Sequence, residues 1–278
     1  MGFIRRLLAA AIALGIFGAS AVAISQVVPT AVLTANTTSI PYGTRAVLTW
    51  SSTGATTCTA LGAWSGTRAS SGNMVVGPII SNNTYSMTCT GAGGTSPVSS
   101  VTLNVIPAAS LTASANPVAS GSSPTLIWNS ADATSCSAAG AWSGPLTTSG
   151  NQVVGPVTSS TAYSLTCSGP AGTSPTAAVT INVIPTVLLT ANTTSIAYGA
   201  RAILTWSSTN ATSCTGLSSW SGTHMPNGSE VVGPITSTNT YSMTCAGAGG
   251  TSAVSSVTIT PIPTATLMAS ANPVASGS

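Results

Sequence analysis

Six cysteines are the residues of this sequence best placed to do chemistry. They fall into three pairs, Cys58 with Cys89, Cys136 with Cys167 and Cys214 with Cys245, each pair 31 residues apart. Thiols so arranged can hold a metal or close disulfide loops. Metal sites use close spacings such as Cys-x-x-Cys or a Cys/His cluster, and neither occurs here, so zinc is set aside. Six cysteines allow about 15 pairings. Copies of one unit must each close in the same way, which leaves one disulfide per unit, between the two cysteines of each pair.

Catalytic groups are few. Beyond the N-terminal segment the chain has one histidine, His224, and two carboxylates, Asp132 and Glu230. A hydrolytic triad needs a nucleophile, a histidine and an acid converging, and a glycosidase pair needs two facing carboxylates. Asp132 stands in a different unit from His224 and Glu230, so neither constellation is expected. His224 takes the place of Arg68 and Leu146 in the other units and reads as a variable loop residue. No enzyme activity, cofactor or metal site is expected. Binding has better candidates. Trp64, Trp142 and Trp220 lie in Trp-Ser-Gly motifs where an indole could stack on a sugar ring, or else close the end of a core.

These residues are positioned by a tandem repeat. Trp50, Cys58, Trp64, Tyr85 and Cys89 recur as Trp128, Cys136, Trp142, Tyr163 and Cys167 and again as Trp206, Cys214, Trp220, Tyr241 and Cys245, a period of 78 without insertion or deletion. A fixed period means one folding unit copied in series. Units are expected at 30–107, 108–185 and 186–263, with 264–278 the first strand of an incomplete fourth. Short runs of apolar residues alternating with Thr and Ser, separated by Gly, Pro and Asn clusters, predict an all-β sandwich. In the first unit the strands are expected at about 31–38, 45–52, 55–61, 73–80, 84–90 and 99–106. Side chains alternate across a strand, so Ala46, Leu48 and Trp50 should share the inner face, as should Tyr85, Met87 and Cys89.

With size, alternation, a Trp and Cys pair and a Tyr before the last Cys on the page, the units resemble the immunoglobulin-like repeats of bacterial surface and secreted proteins. The resemblance implies a tandem array of immunoglobulin-like β-sandwich domains. It departs from the antibody pattern: one Trp lies eight residues before Cys58, another six after it, and Tyr85 four before Cys89. The disulfide is therefore expected on different strands from the antibody one, the third and the sixth, within one sheet.

Composition limits the partners. The chain has five Arg, no Lys, and two acidic residues, a formal net charge of +3 that falls to +1 without Arg5 and Arg6. Nucleic acid and anionic membrane surfaces both need basic patches, so neither is expected. Candidate partners are a cell-surface glycan or protein, and other copies of the chain. Arg5 and Arg6 precede an apolar run that ends near Ala21-Val22-Ala23, the form of a signal peptide at 1–23. Left uncleaved, the run just reaches the lower limit of a membrane span. Export would place the thiols in an oxidising compartment, secreted or at the cell surface. Asn36, Asn82, Asn192, Asn210 and Asn227 stand in Asn-x-Ser/Thr sequons.

Junctions and ends add a functional expectation. Val105-Ile106-Pro107 and Val183-Ile184-Pro185 lead directly into the next unit with no Gly/Ser linker, which predicts a semi-rigid rod. Units 1 and 3 share Leu-Thr-Ala-Asn-Thr-Thr-Ser-Ile, from Leu33 and Leu189, while Ala113 to Ser122 of unit 2 recurs as Ala269 to Ser278. Duplication thus acted on pairs of units. The expected role is a structural stalk or adhesin-like spacer. Its alternatives are a carbohydrate- or protein-binding module using the loop tryptophans, and a filament subunit that donates its C-terminal strand.

Overall fold

A computed structural model describes residues 26–268. The proposed signal peptide and residues 269–278 lie outside the described residues. Residues 264–268 carry no strand. The chain falls into two compact units: Leu48–Met74 and Thr84–Val101 with the segment up to Asn36, and Thr37–Val47, Val75–Asn83 and the chain from Thr102 on.

The first repeat contains β1 (Thr30–Ala35), β2 (Ser39–Pro41), β3 (Thr44–Thr53), β4 (Thr57–Gly62), β5 (Gly66–Arg68), β6 (Ser71–Ile79), β7 (Asn83–Gly91), β8 (Gly94–Thr95) and β9 (Ser99–Ile106). The second has β10 (Ala108–Ala113), β11 (Thr125–Ala131), β12 (Ser135–Gly140), β13 (Gly144–Leu146), β14 (Ser149–Val153), β15 (Thr161–Gly169), β16 (Gly172–Thr173) and β17 (Ala177–Ile181). The third has β18 (Thr186–Ala191), β19 (Ser195–Ala197), β20 (Ala202–Thr209), β21 (Ser213–Leu217), β22 (Gly222–His224), β23 (Gly228–Val232), β24 (Asn239–Gly247), β25 (Gly250–Thr251) and β26 (Ser255–Ile262), with a single 3-10 turn at Ser218–Trp220.

Each repeat builds two sheets. The smaller has the order β1-β3-β6, β10-β11-β14 or β18-β20-β23. The larger runs β2-β9-β7-β4-β5 in the first repeat and β19-β26-β24-β21-β22 in the third; in the second, β15 lies between β12 and β17. Two short edge strands pair in parallel, β2 with β9 and β19 with β26. The second repeat replaces that short parallel strand by a single bridge, Val118 to Val183. There the Asn116 amide takes over: it donates to the Thr180 carbonyl and accepts the Asn182 N–H.

Facing side chains of the two sheets fill the core, as in aligned sandwiches. In the second repeat Leu111, Leu126 and Trp128 of one sheet are buried with Cys136, Tyr163, Leu165 and Ile181 of the other. The third repeats this with Leu189, Leu204 and Trp206 among Cys214, Tyr241, Met243 and Ile259. The expected inner face holds in the first repeat, where Ala46, Leu48, Trp50, Tyr85, Met87 and Cys89 are all buried. These are tandem immunoglobulin-like sandwiches with one disulfide apiece.

Three short strands were absent from the expected set, β2, β5 and β8, and β1 ends at Ala35 instead of 38. Two or three residues carry too little alternation to declare a strand. The cysteines do share one sheet, on β4 and β7. Those are the third and fifth of the six long strands, not the third and sixth, because β5 passes straight to β6 with no further strand between them.

Candidate functional site

The residues repeated in all three units are buried in the core of each sandwich. Cys58 faces Cys89 directly across β4 and β7 and is bonded to it, as Cys136 is to Cys167 and Cys214 to Cys245. A buried serine after the hairpin turn secures the second cysteine: Ser96 Oγ accepts the Cys89 N–H and donates to the Pro97 carbonyl. Ser174 and Ser252 repeat the arrangement. A buried hydroxyl with both its roles filled costs little, whereas an unpaired one would cost about 1–3 kcal/mol. Among so many serines, sequence alone did not mark these three.

The tryptophans cross from sheet to sheet. Trp50 meets Trp64 edge-on with ring centroids 5.5 Å apart, and Trp64 meets Tyr85 at 6.1 Å. Such T-shaped contacts add about 0.5–1.5 kcal/mol beyond burial. The Trp50 indole N–H donates to the Ala69 carbonyl at 3.0 Å and the Trp64 N–H to the Ser86 carbonyl at 2.8 Å. The second repeat copies both bonds. Trp64, Trp142 and Trp220 are each only 7% exposed. Their rings are packed against core aromatics rather than presented to a sugar. Burial also pushes the Tyr85 and Tyr241 phenols above their ordinary value.

Outside this invariant cluster sits a pair that changes from repeat to repeat. Its members are Arg68 and Met74 in the first repeat, Leu146 and Gln152 in the second, and His224 and Glu230 in the third. In the first and third repeats both members lie on the edge strands of the two sheets, β5 with β6 and β22 with β23. In the first, the Arg68 guanidinium stands over Trp64, 5.2 Å from the ring centroid, while Nη2 donates to the Ser65 carbonyl and approaches Met74 Sδ at 3.7 Å.

The third repeat differs most. His224 packs 4.5 Å from Trp220 and 5.2 Å from Trp206, with Nδ1 3.6 Å from Glu230 Oε2. The Trp220 N–H turns from the serine carbonyl used elsewhere to Glu230 Oε2, at 2.9 Å. Room for this comes from Gly216, which stands where the other repeats have Ala60 and Ala138. A Cβ there would approach the Trp220 carbonyl and lie 3.0 Å from His224 Nε2. His224 is therefore a half-buried strand residue paired with Glu230, not a loop residue. The Ala-to-Gly change at 216 was the available signal.

The pair spans the edge strands β22 and β23 of the two sheets. His224 Nε2 is buried without a partner, so no nucleophile is aligned with the imidazole as a triad requires. Asp132 is in another repeat, at φ 60° in the turn between β11 and β12. Gly54 and Asn210 hold the same left-handed position in their repeats, at φ 70° and 56°. Gly, Asp and Asn are the residues that tolerate it, which accounts for the lone aspartate by backbone geometry. Among the described residues no group of three or more His, Cys, Asp or Glu could hold a metal, and no helix is long and apolar enough to cross a membrane. An open groove of about 420 Å³ in the second repeat is lined by residues such as Ser114, Pro117, Val118 and Pro124, with no ionisable group.

No family model matches the chain, and no curated protein matches it. Solved structures that resemble it include the N-terminal four Ig domains of Dscam1 isoform 1.9, at 10% identity over 80% of this chain and 70% of that one, with a TM-score of 0.36. Domains A168-A170 of titin are 13% identical over 84% of this chain and 99% of that one, at 0.41. FdeC, an Escherichia coli adhesin, is 11% identical over 84% and 97%, at 0.33. Likenesses this distant carry no functional argument, and the fold stands on the sheets described above.

Proposed function

We propose that the chain is a non-catalytic structural protein, a stalk or adhesin-like spacer secreted or held at the cell surface, whose immunoglobulin-like repeats form a semi-rigid rod. The observation that carries this reading is the junction between the first two repeats: β9 ends at Ile106 and β10 begins at Ala108. Only Pro107 intervenes, with its φ fixed by the ring. A chain that passes from sheet to sheet through one proline carries tension along the array without a slack linker, which is what a spacer requires. Disulfides favour an oxidising compartment, in keeping with export through a signal peptide at 1–23. A glycan or protein at the cell surface, or another copy of the chain, is the partner this role implies.

Small-angle scattering of the mature, oxidised chain tests the proposal. Strands of about eight residues at roughly 3.3 Å each, with turns, make repeats some 30–40 Å long. Three in line give a radius of gyration near 30 Å. A value near 18 Å, as expected for a compact globule of this length, would refute the rod and the spacer role with it.

A further inference from the structure

Successive junctions are built from different residues at matching positions. At the entry to the third repeat, the turn after β24 lies against the connecting chain. A Cβ on Gly249 would sit 2.2 Å from the Val183 carbonyl oxygen and 2.6 Å from the Ile184 nitrogen, closer than any side chain tolerates. Gly247 in the same turn faces Pro185 Cγ, 3.1 Å from where its Cβ would be. A hydrogen bond then crosses the junction: Asn210 Nδ2 donates to the Thr158 carbonyl of the second repeat at 3.0 Å. Glycine lets the two backbones touch, and the amide pins them.

One period earlier both devices are missing. Ala171 stands where the third repeat has Gly249, and Asp132 where it has Asn210. With a methyl group at Ala171, an approach as close as that of Gly249 to its connector is sterically closed. A carboxylate has no hydrogen to give a carbonyl, and Asp132 Oδ2 is buried without a partner. The contact that persists there is Gly169 against Pro107, whose Cγ lies 2.8 Å from the Cβ position.

We propose that the junction between repeats 2 and 3 is a fixed joint and that between repeats 1 and 2 a hinge, so that bending is confined to alternate junctions. The assignment rests on the paired differences at 171/249 and 132/210. The differences are in step with the 156-residue duplication at the glycine position, where repeats 1 and 3 have Gly93 and Gly249 and repeat 2 has Ala171. The spacer role is a separate matter, because a jointed array serves a surface or a soluble protein alike.

Residual dipolar couplings on the isotopically labelled, oxidised full chain provide the test. Repeats 2 and 3 are expected to share one alignment frame and one degree of order, with repeat 1 ordered differently. A single frame for all three, or separate frames for repeats 2 and 3, overturns the proposal. Exchanging the devices extends the test in both directions. Asp132→Asn with Ala171→Gly should bring repeat 1 into the frame of repeat 2, and Asn210→Asp with Gly249→Ala should release repeat 3. If either exchange leaves the frames unchanged in a folded protein, these residues do not set the joint. Should an exchange fail to fold, the unmodified chain still decides.

Discussion

Mechanical unfolding reads the disulfide arrangement directly as a length. In the oxidised protein the span from Cys58 to Cys89, a sequence separation of 31, is bypassed by the bond, and the same holds in the other two repeats. At about 3.6 Å per extended residue, a fully released repeat of 78 residues has a contour near 280 Å, and a bypassed one near 170 Å. Pulling the chain by its ends should therefore give three unfolding events whose contour increments each grow by about 110 Å when reductant is present. Reduction should also lower the unfolding force, because a loop of this size contributes roughly 3–4 kcal/mol by constraining the unfolded chain. Single-molecule force spectroscopy with and without a phosphine reductant measures both. Increments that match in the two conditions would mean that the bonds do not lie inside the repeats. Increments that differ among the three would mean that the repeats are not equivalent folding units.

Two further outcomes follow from the core and the surface. Gly150 lies opposite Trp128 in register, and an added Cβ would stand 2.7 Å from Cζ2 of an indole already tied to the Thr147 carbonyl; Gly150→Ala should cost the second repeat about 1–3 kcal/mol by denaturant titration, and no loss would show that the ring is free to move. Thermal stability should be nearly flat from about pH 4 to pH 9, since five formal charges remain outside the N-terminal segment. It should then fall above about pH 10, because burial raises the Tyr85 and Tyr241 phenols above their ordinary value and the unfolded chain releases those protons first. Melting curves followed against pH would contradict this if the decline began in the acid range.

Legibility in the sequence followed the length of the pattern. Long alternating runs placed Ala46, Leu48 and Trp50 on one inner face and Tyr85, Met87 and Cys89 on another, because a period of two over six or more residues has few other solutions. Ser39–Pro41 could not be read in that way: it is three residues long, includes a proline, and exists only because the edge of β9 accepts it in parallel. The candidate site was legible as aromatic and sulfur chemistry, but the inward facing of Trp64 depended on its N–H finding the Ser86 carbonyl, a contact across 22 residues. His224 and Glu230 were visible as isolated polar side chains. Their meeting required β22 and β23 to lie on the edges of opposite sheets, which six-residue spacing does not announce. Asp132 looked like a spare acid until its equivalents Gly54 and Asn210 showed a backbone position in common.

The two ways of holding the short edge segment bear on how such a chain avoids tangling as it is made. Repeats that resemble one another invite a neighbour's strand into the wrong sandwich, a common failure of tandem proteins. Here the first and third repeats seat Ser39–Pro41 and Ser195–Ala197 by parallel backbone pairing, while the second seats its segment through the Asn116 amide and the Val118 bridge. The backbone bonds of Val118 are parallel ones too, so the difference is the amide: a segment without Asn116, offered to the second repeat, would not supply the bonds that it makes to Thr180 and Asn182. Adjacent repeats, the first to encounter each other on a growing chain, thus differ at this edge by one side-chain amide. The matching partner lies two periods away, and domains generally fold as units from the N-terminus during synthesis.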